Sequence, residues 1–290
     1  MSWRRLKLHD WWWLLKTAAS SWLDDYAPSM GAALAYYTMF SIAPLLLIVI
    51  SVAGLVFGVD AARGEISAQL QGLIGADGAQ AIEGLVARAN RPATGILSTL
   101  AGFVLLVVGA TTVFAELQDD LDRIWRAPRR ESGGLWTVLR ARLLSFGLIL
   151  GLGFLMIVSL ILSAALSAVE KWWGPWFGDW VNVAQALNFA ISFALVTTMF
   201  AMIYKLMPRV KVAWSDVWIG AAVTALLFTI GKYLIGLYIG NSGTSSVFGA
   251  AGSLVVMLLW VYYSAQIFLL GAEFTWAYAG RFGSRAGDQP

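Results

Sequence analysis

The chain of 290 residues is 59% hydrophobic and 13% charged, about half the charged fraction of an ordinary soluble domain. With 15 Trp and a mean hydropathy of +0.71 it has too little polar surface to coat a water-soluble globule, so soluble enzyme folds are excluded first. It has no cysteine and one histidine, His9, which excludes disulfides, thiolate metal sites, Cys nucleophiles and multi-histidine metal centres.

In chain order, residues 1–27 mix Trp3, Leu6, Leu14, Trp22 and Tyr26 with charges. Lys16, Asp24 and Asp25 interrupt any signal-peptide core, and the pattern predicts an uncleaved helix lying in the membrane interface. A hydrocarbon core of about 30 Å needs about 20 helical residues. Uncharged runs of that length predict spans over 31–58, 95–115, 143–169 and 181–204. Between the first two, Ile66, Leu70 and Ile74, then Ile82, Leu85, Val86 and Ala89, flank Gly75-Ala76-Asp77-Gly78, predicting two short amphipathic helices in an outer loop. The uncharged stretch from Tyr233 to Ala272 is too long for one helix, and Asn241-Ser242-Gly243-Thr244-Ser245-Ser246 is a cluster of turn formers. That predicts a hairpin of spans 217–239 and 247–272, followed by a tail over 273–290. The fold expected is a single all-α domain, a polytopic six-helix transmembrane bundle.

Orientation follows from cationic loops, whose translocation is disfavoured. Of the 20 Lys and Arg, fifteen lie on the N-terminal tail (Arg4, Arg5, Lys7, Lys16), the second-to-third connection (Arg123, Arg126, Arg129, Arg130, Arg140, Arg142), the fourth-to-fifth (Lys205, Arg209, Lys211) and the C-terminal tail (Arg281, Arg285). Both termini are therefore expected to be cytoplasmic.

Residues 33–46, Ala-Leu-Ala-Tyr-Tyr-Thr-Met-Phe-Ser-Ile-Ala-Pro-Leu-Leu, resemble the opening signature of the YihY/BrkB family of bacterial inner-membrane proteins. Pro208 through Trp214-Ser215-Asp216 to Gly220-Ala221 resembles that family's entry into span five. Ser246 through Gly252, Trp260, Tyr263 and Gln266 to Gly271-Ala272-Glu273-Phe274 resembles its final span. The resemblance covers about 22–278 and implies a six-helix inner-membrane protein with both termini inside. It also brings the family's associations: a ribonuclease label, a link to virulence or serum resistance, and suggested movement of lipids.

Lys232 is the charge well inside a span, and intramembrane ionisable groups are functional candidates. Its stem could snorkel to outer headgroups, or it could hold an anionic lipid headgroup within the bundle. Gly252, Tyr263, Gln266 and Glu273 share one face of span six, which must point into the bundle because a Gln in hydrocarbon needs a partner. This face either bonds between helices or, with Tyr36, Tyr37 and Ser41, lines a polar path. Pro44 removes a backbone donor near the middle of span one. Gly54/Gly58, Gly147/Gly151 and Gly236/Gly240 are small-xxx-small pairs that predict close helix approach and leave a homo-oligomer open. Glu116, Asp119, Asp120 and Asp122 beside Arg123 and Arg126 are where a nuclease would have to stand, yet they read equally as charge pairs on a helix emerging into water.

No P-loop, Gly-x-Ser-x-Gly or dinucleotide fingerprint is present. The expectation is a non-enzyme of the bacterial inner membrane with no cofactor, metal or catalytic residue. Its partners would be membrane lipids and not nucleic acid, and its role transport or lipid handling of unknown substrate. A non-catalytic scaffold in an envelope complex is the alternative, with a membrane-bound ribonuclease more distant.

Overall fold

The computed structural model describes residues 7–89, 96–128, 147, 151, 180–241 and 252–286, all of them in helices or the short connections between helices. The expected third span, 143–169, lies outside the described residues apart from two glycines, as do the predicted turn at 242–246 and most of the loop before span four. The helices are α1 (Leu8–Asp24), α2 (Ala27–Phe57), α3 (Val59–Ala89), α4 (Ile96–Ile124), α5 (Trp180–Leu206), α6 (Trp214–Asn241) and α7 (Gly252–Arg281). Among the described residues, four stretches are long and apolar enough to cross a membrane: Ala27–Leu55, Phe189–Leu206, Trp214–Tyr238 and Leu254–Arg281.

The first helix carries three faces. Leu14, Ala18 and Ser21 are buried, against Phe274 and Ala277 of α7, with Trp11 stacked on Phe274 at 6.0 Å. Leu8, Trp12, Leu15 and Leu23 form an exposed apolar stripe beside them, and His9, Lys16, Thr17 and Ser20 occupy the third face. Tyr26 stops α1 in the left-handed region at φ 60, and Pro28, in the first turn of α2 where its missing N–H costs nothing, starts the next helix.

From Ala27 to Phe57 α2 is unbroken through Pro44. At its far end Gly58 takes φ +86 and hands directly into α3. The segment 59–89 is helical as one run rather than as two helices separated by a loop at 75–78. It nonetheless doubles back: a straight helix separates residues sixteen apart by about 24 Å, whereas the Ser67 hydroxyl donates to Oε1 of Glu83. Both arms lean on α2, where Ile66, Ile82 and Val86 pack with Ala43, Leu47 and Ile50. Apolar spacing thus placed the two arms on α2, and the segment stays helical through the glycines that were expected to separate them while folding back on itself.

Close packing is set by a reciprocal contact between α6 and α7. A Cβ on Gly220 would collide with Thr275, and a Cβ on Gly271 would collide with Thr224 and the Tyr204 hydroxyl. Each helix thus supplies a glycine and, four residues on, a threonine, and the pairing of 220 with 275 and 224 with 271 makes the two helices antiparallel. The threonine hydroxyls donate to their own helices, at Gly220 O (2.8 Å) and Gly271 O (2.7 Å), so the close approach buries no unsatisfied hydroxyl. Tyr204 of α5 completes the knot by donating to Phe268 O at 2.7 Å, with Thr224 Oγ1 at 3.1 Å.

The glycine pairs picked from sequence behave differently. Gly54 and Gly58 serve the α2–α3 turn, and Gly54 faces Val59. Gly236 is exposed and has no atom near its missing Cβ. Small residues four apart are common in apolar helices, and only packing distinguishes the pairs that meet a partner.

Candidate functional site

The two candidate helices α2 and α7 run antiparallel: Gly31 meets Gln266 near one end, and Ala43, Leu47 and Ile50 meet Met257 toward the other. Along this seam lies a series of buried polar atoms with no hydrogen-bond partner among the described residues. Beginning at the Asp25 end they are Asp25 Oδ2, Glu273 Oε1 and Oε2, Gln266 Oε1 and Trp260 Nε1, and Ser41 Oγ of α2 is likewise buried and unpartnered. Ser41 and Glu273 are both fully buried. From Ala27 to Ser41, near the middle of α2, is about 21 Å at 1.5 Å per residue. Buried polar groups are nearly always paired, so a run of unpaired ones down a single helix seam is a feature to be explained.

The sequence-derived candidates divide. Gln266 points into the seam, where its Nε2 donates to Ala27 O at 3.4 Å and the absence of a side chain on Gly31 makes room for it. Glu273 lies two turns on along the same face of α7, and Ser41 is buried on α2. Tyr263 is half-buried and turned toward α6, where its ring abuts Gly231. Tyr37 is half-buried and in edge contact with Tyr36 at 5.7 Å. Tyr36 itself is exposed against Phe40, away from the seam. Pro44 lies inside α2 without interrupting it. Lys232 is exposed between the exposed Ile230 and Tyr233, while its neighbour Gly231 faces α7; it does not join the seam. Tyr36 therefore leaves the polar line proposed for it, and Lys232 stands on the outer surface rather than within the bundle, because helical rotation turns each outward.

Two residues at the mouth of the seam were read from sequence only as charges. Arg126 Nη1 donates to Asp25 Oδ1 at 2.8 Å, and its guanidinium lies 5.4 Å from the Trp276 ring of α7. Asp25 stands within hydrogen-bonding reach of Glu273. Nothing local marks this site, since Asp25 and Arg126 are 101 positions apart.

Around this mouth the connections form a belt. Asp122 accepts from the Arg209 backbone N–H at 2.7 Å and pairs with its Nε at 3.1 Å. Arg209 Nη2 also reaches Asp119 at 3.4 Å, and Gln118 donates to Met207 O at 2.9 Å. Asp216, buried in the first turn of α6, accepts from the backbone N–H and hydroxyl of Ser284 at 2.9 and 2.7 Å. Arg285 lies 5.5 Å from the Trp125 ring. The starts of α2 and α6, the ends of α4 and α5 and the tail after α7 thus meet at one end of the bundle. On α4, burial first and then the neighbouring Glu116 and Asp119 push the Asp120 carboxyl up to about 7, against the pull of Arg123. The carboxylates named for a nuclease diverge: Asp122 and Asp119 turn to Arg209, while Asp120 is buried. Among the described residues no three acidic or histidine side chains are grouped to hold a metal.

The profile of the virulence factor BrkB family matches residues 18–290. A UPF0761 membrane protein of Pseudomonas aeruginosa (strain LESB58) is 29% identical over 258 residues, covering 88% of this chain and 60% of that protein. One from Actinobacillus pleuropneumoniae is 28% identical over 268 residues, covering 90% and 91%, and one from Alcanivorax borkumensis 31% identical over 257, covering 86% and 56%. The chain thus spans about 60% of the length of its Pseudomonas relative. No solved structure matches. With a family profile running across nearly the whole length of an apolar chain whose described residues are helical, this is a membrane protein of the virulence factor BrkB family.

Proposed function

We propose that this protein is a transporter or lipid-handling protein of the bacterial cytoplasmic membrane, and that its substrate passes along the α2–α7 seam. The observation that carries the reading is the line of unpartnered buried polar atoms at Asp25, Glu273 and Gln266, with a further one at Ser41 of α2. In hydrocarbon such atoms need water, a substrate or one another, and a path supplies the first two. The charged belt faces the cytoplasm in this reading. Arg123, Arg126, Lys205, Arg209 and Arg285 gather on segments at that end, as retention of cationic loops requires. The exposed apolar stripe of α1 then rests in the interface beside it.

Because the native chain has no cysteine, single cysteines test the path without background. Ser41→Cys and Gln266→Cys in membrane vesicles should react with a small hydrophilic thiol reagent, and Ala225→Cys, fully buried in the apolar core, should not. Protection at both positions equal to that at 225 would overturn the path. For the lipid class, the purified protein in vesicles should speed exchange of a fluorescent phospholipid between leaflets. A rate equal to that of protein-free vesicles would remove phospholipid as substrate.

A further inference from the structure

We propose that Asp25 and Glu273 hold one exchangeable proton between them, making the junction of α1, α2 and α7 a proton-binding site at the mouth of the seam. Among the described residues the charged groups around Glu273 are Asp24 and Asp25 from the end of α1 and Arg126 from the end of α4. The first turn of α2, Ala27 to Met30, brings no titratable side chain. Among the described residues one cation thus faces a pair of buried carboxyls. Arg126 commits its short bond to Asp25 Oδ1, and Asp25 Oδ2 and both oxygens of Glu273 are buried with no donor among the described residues.

Carboxylates only accept, so two of them within reach of each other bond only when one carries a proton. Like charges held together in a desolvated site take up one proton between them as a unit. A proton is the smallest ligand such a buried pair can take, with Asp25 4% exposed and Glu273 0%. Exchange with solvent is open on one side, since the Arg126 side chain is 53% exposed. With the proton bound, Asp25, Arg126 and Glu273 sum to neutrality; without it a buried negative charge competes for Arg126.

The backbone points to the same place. Tyr26 and Arg126 are the two non-glycine residues at positive φ among the described residues, at 60 and 52, and both flank this pair. Strain of that kind persists where the surroundings over-determine it, commonly at functional sites. Gln266 lies two turns before Glu273 on the same face of α7, so the proton sits where the polar line begins. Use of the proton to drive or gate transport rests on the path reading; its binding does not.

Infrared spectroscopy of the full chain in lipid vesicles tests the binding. At about pH 8, above the titration of Asp120, the wild type should show a protonated-carboxyl stretch that Glu273→Gln abolishes, because it leaves Asp25 paired with Arg126, and that Asp25→Asn shifts in frequency, because it replaces the carboxylate that shares the proton. Glu273→Asp, which keeps the carboxyl, should retain it, and helical circular dichroism establishes that each variant is folded. Absence of the band from the wild type, its survival in Glu273→Gln, or an unshifted band in Asp25→Asn would overturn the proposal. The readout does not involve transport, so a dry seam with an intact band would sink the path alone.

Discussion

Arg126 occupies the residue after the cap of α4 in a left-handed conformation and from there bonds Asp25, 101 positions earlier. The Ala127 N–H returns to Asp122 O at 2.8 Å and the Arg126 N–H to Arg123 O at 3.1 Å, the Schellman closure in which glycine is the usual occupant of this place. Retaining an arginine there costs about 1 kcal/mol of backbone strain. What it secures is a cation for a carboxylate that is 6% exposed.

Arg126→Gly therefore relieves strain yet leaves Asp25 unpaired, and the second effect should win. Removing one partner of a fully buried pair costs about 3–5 kcal/mol. With the arginine half exposed, a net loss of about 1–3 kcal/mol is expected. In the double variant with Asp25→Asn the loss should shrink, which thermal melts of the four proteins in detergent would measure. Additive losses would show that the ion pair contributes nothing.

At the α6–α7 crossing, Gly271→Ala has no free volume to use, because its methyl would meet Thr224 and the Tyr204 hydroxyl. A loss of about 1–3 kcal/mol is expected, the usual range for overpacking. Gly236→Ala, on an exposed face of the same hairpin, should be neutral or slightly stabilising through helix propensity. Comparing the two melting temperatures separates packing from propensity.

Stability should depend on pH through Asp120. Its carboxyl titrates near 3.8 in an unperturbed chain and is pushed up to about 7 in the fold, by burial first. The folded state therefore keeps a proton that the unfolded chain has released. This contribution is whole below about pH 4 and is lost as pH rises through about 7, an upper bound of about 4 kcal/mol. Asp120→Asn should flatten that decline, melting above the wild type at about pH 8 and close to it at about pH 4. Parallel wild-type and variant curves across the interval would count against it.

Lys232 stands on the outer surface, so Lys232→Met should insert, fold and melt as the wild type does. Exchanging an exposed ammonium in a span for an apolar chain of similar length lowers an insertion cost. A marked drop in membrane-fraction protein or melting temperature would instead place the ammonium in a contact that holds the bundle together.

Helix content and membrane character were legible in the sequence because both rest on local quantities. An uncharged run of bilayer length, a proline in a first turn and the period of Ile66, Ile82 and Val86 each report on their own neighbourhood. Gln266 and Glu273 could be placed on one inward face from their spacing, since an amide cannot stand in lipid unpaired. Rotation about the helix axis was less accessible: Tyr36 and Ser41 sit in the same uncharged run, and only packing turned one outward and buried the other. Long-range pairing was hidden altogether. Asp25 reads locally as a break in an apolar stretch and Arg126 as one more retained cation, while Gly220 and Gly271 look like any other small residues. Their roles arise from contacts across 101, 55 and 47 positions, where neither periodicity nor composition carries information and the fold alone decides which side chains meet.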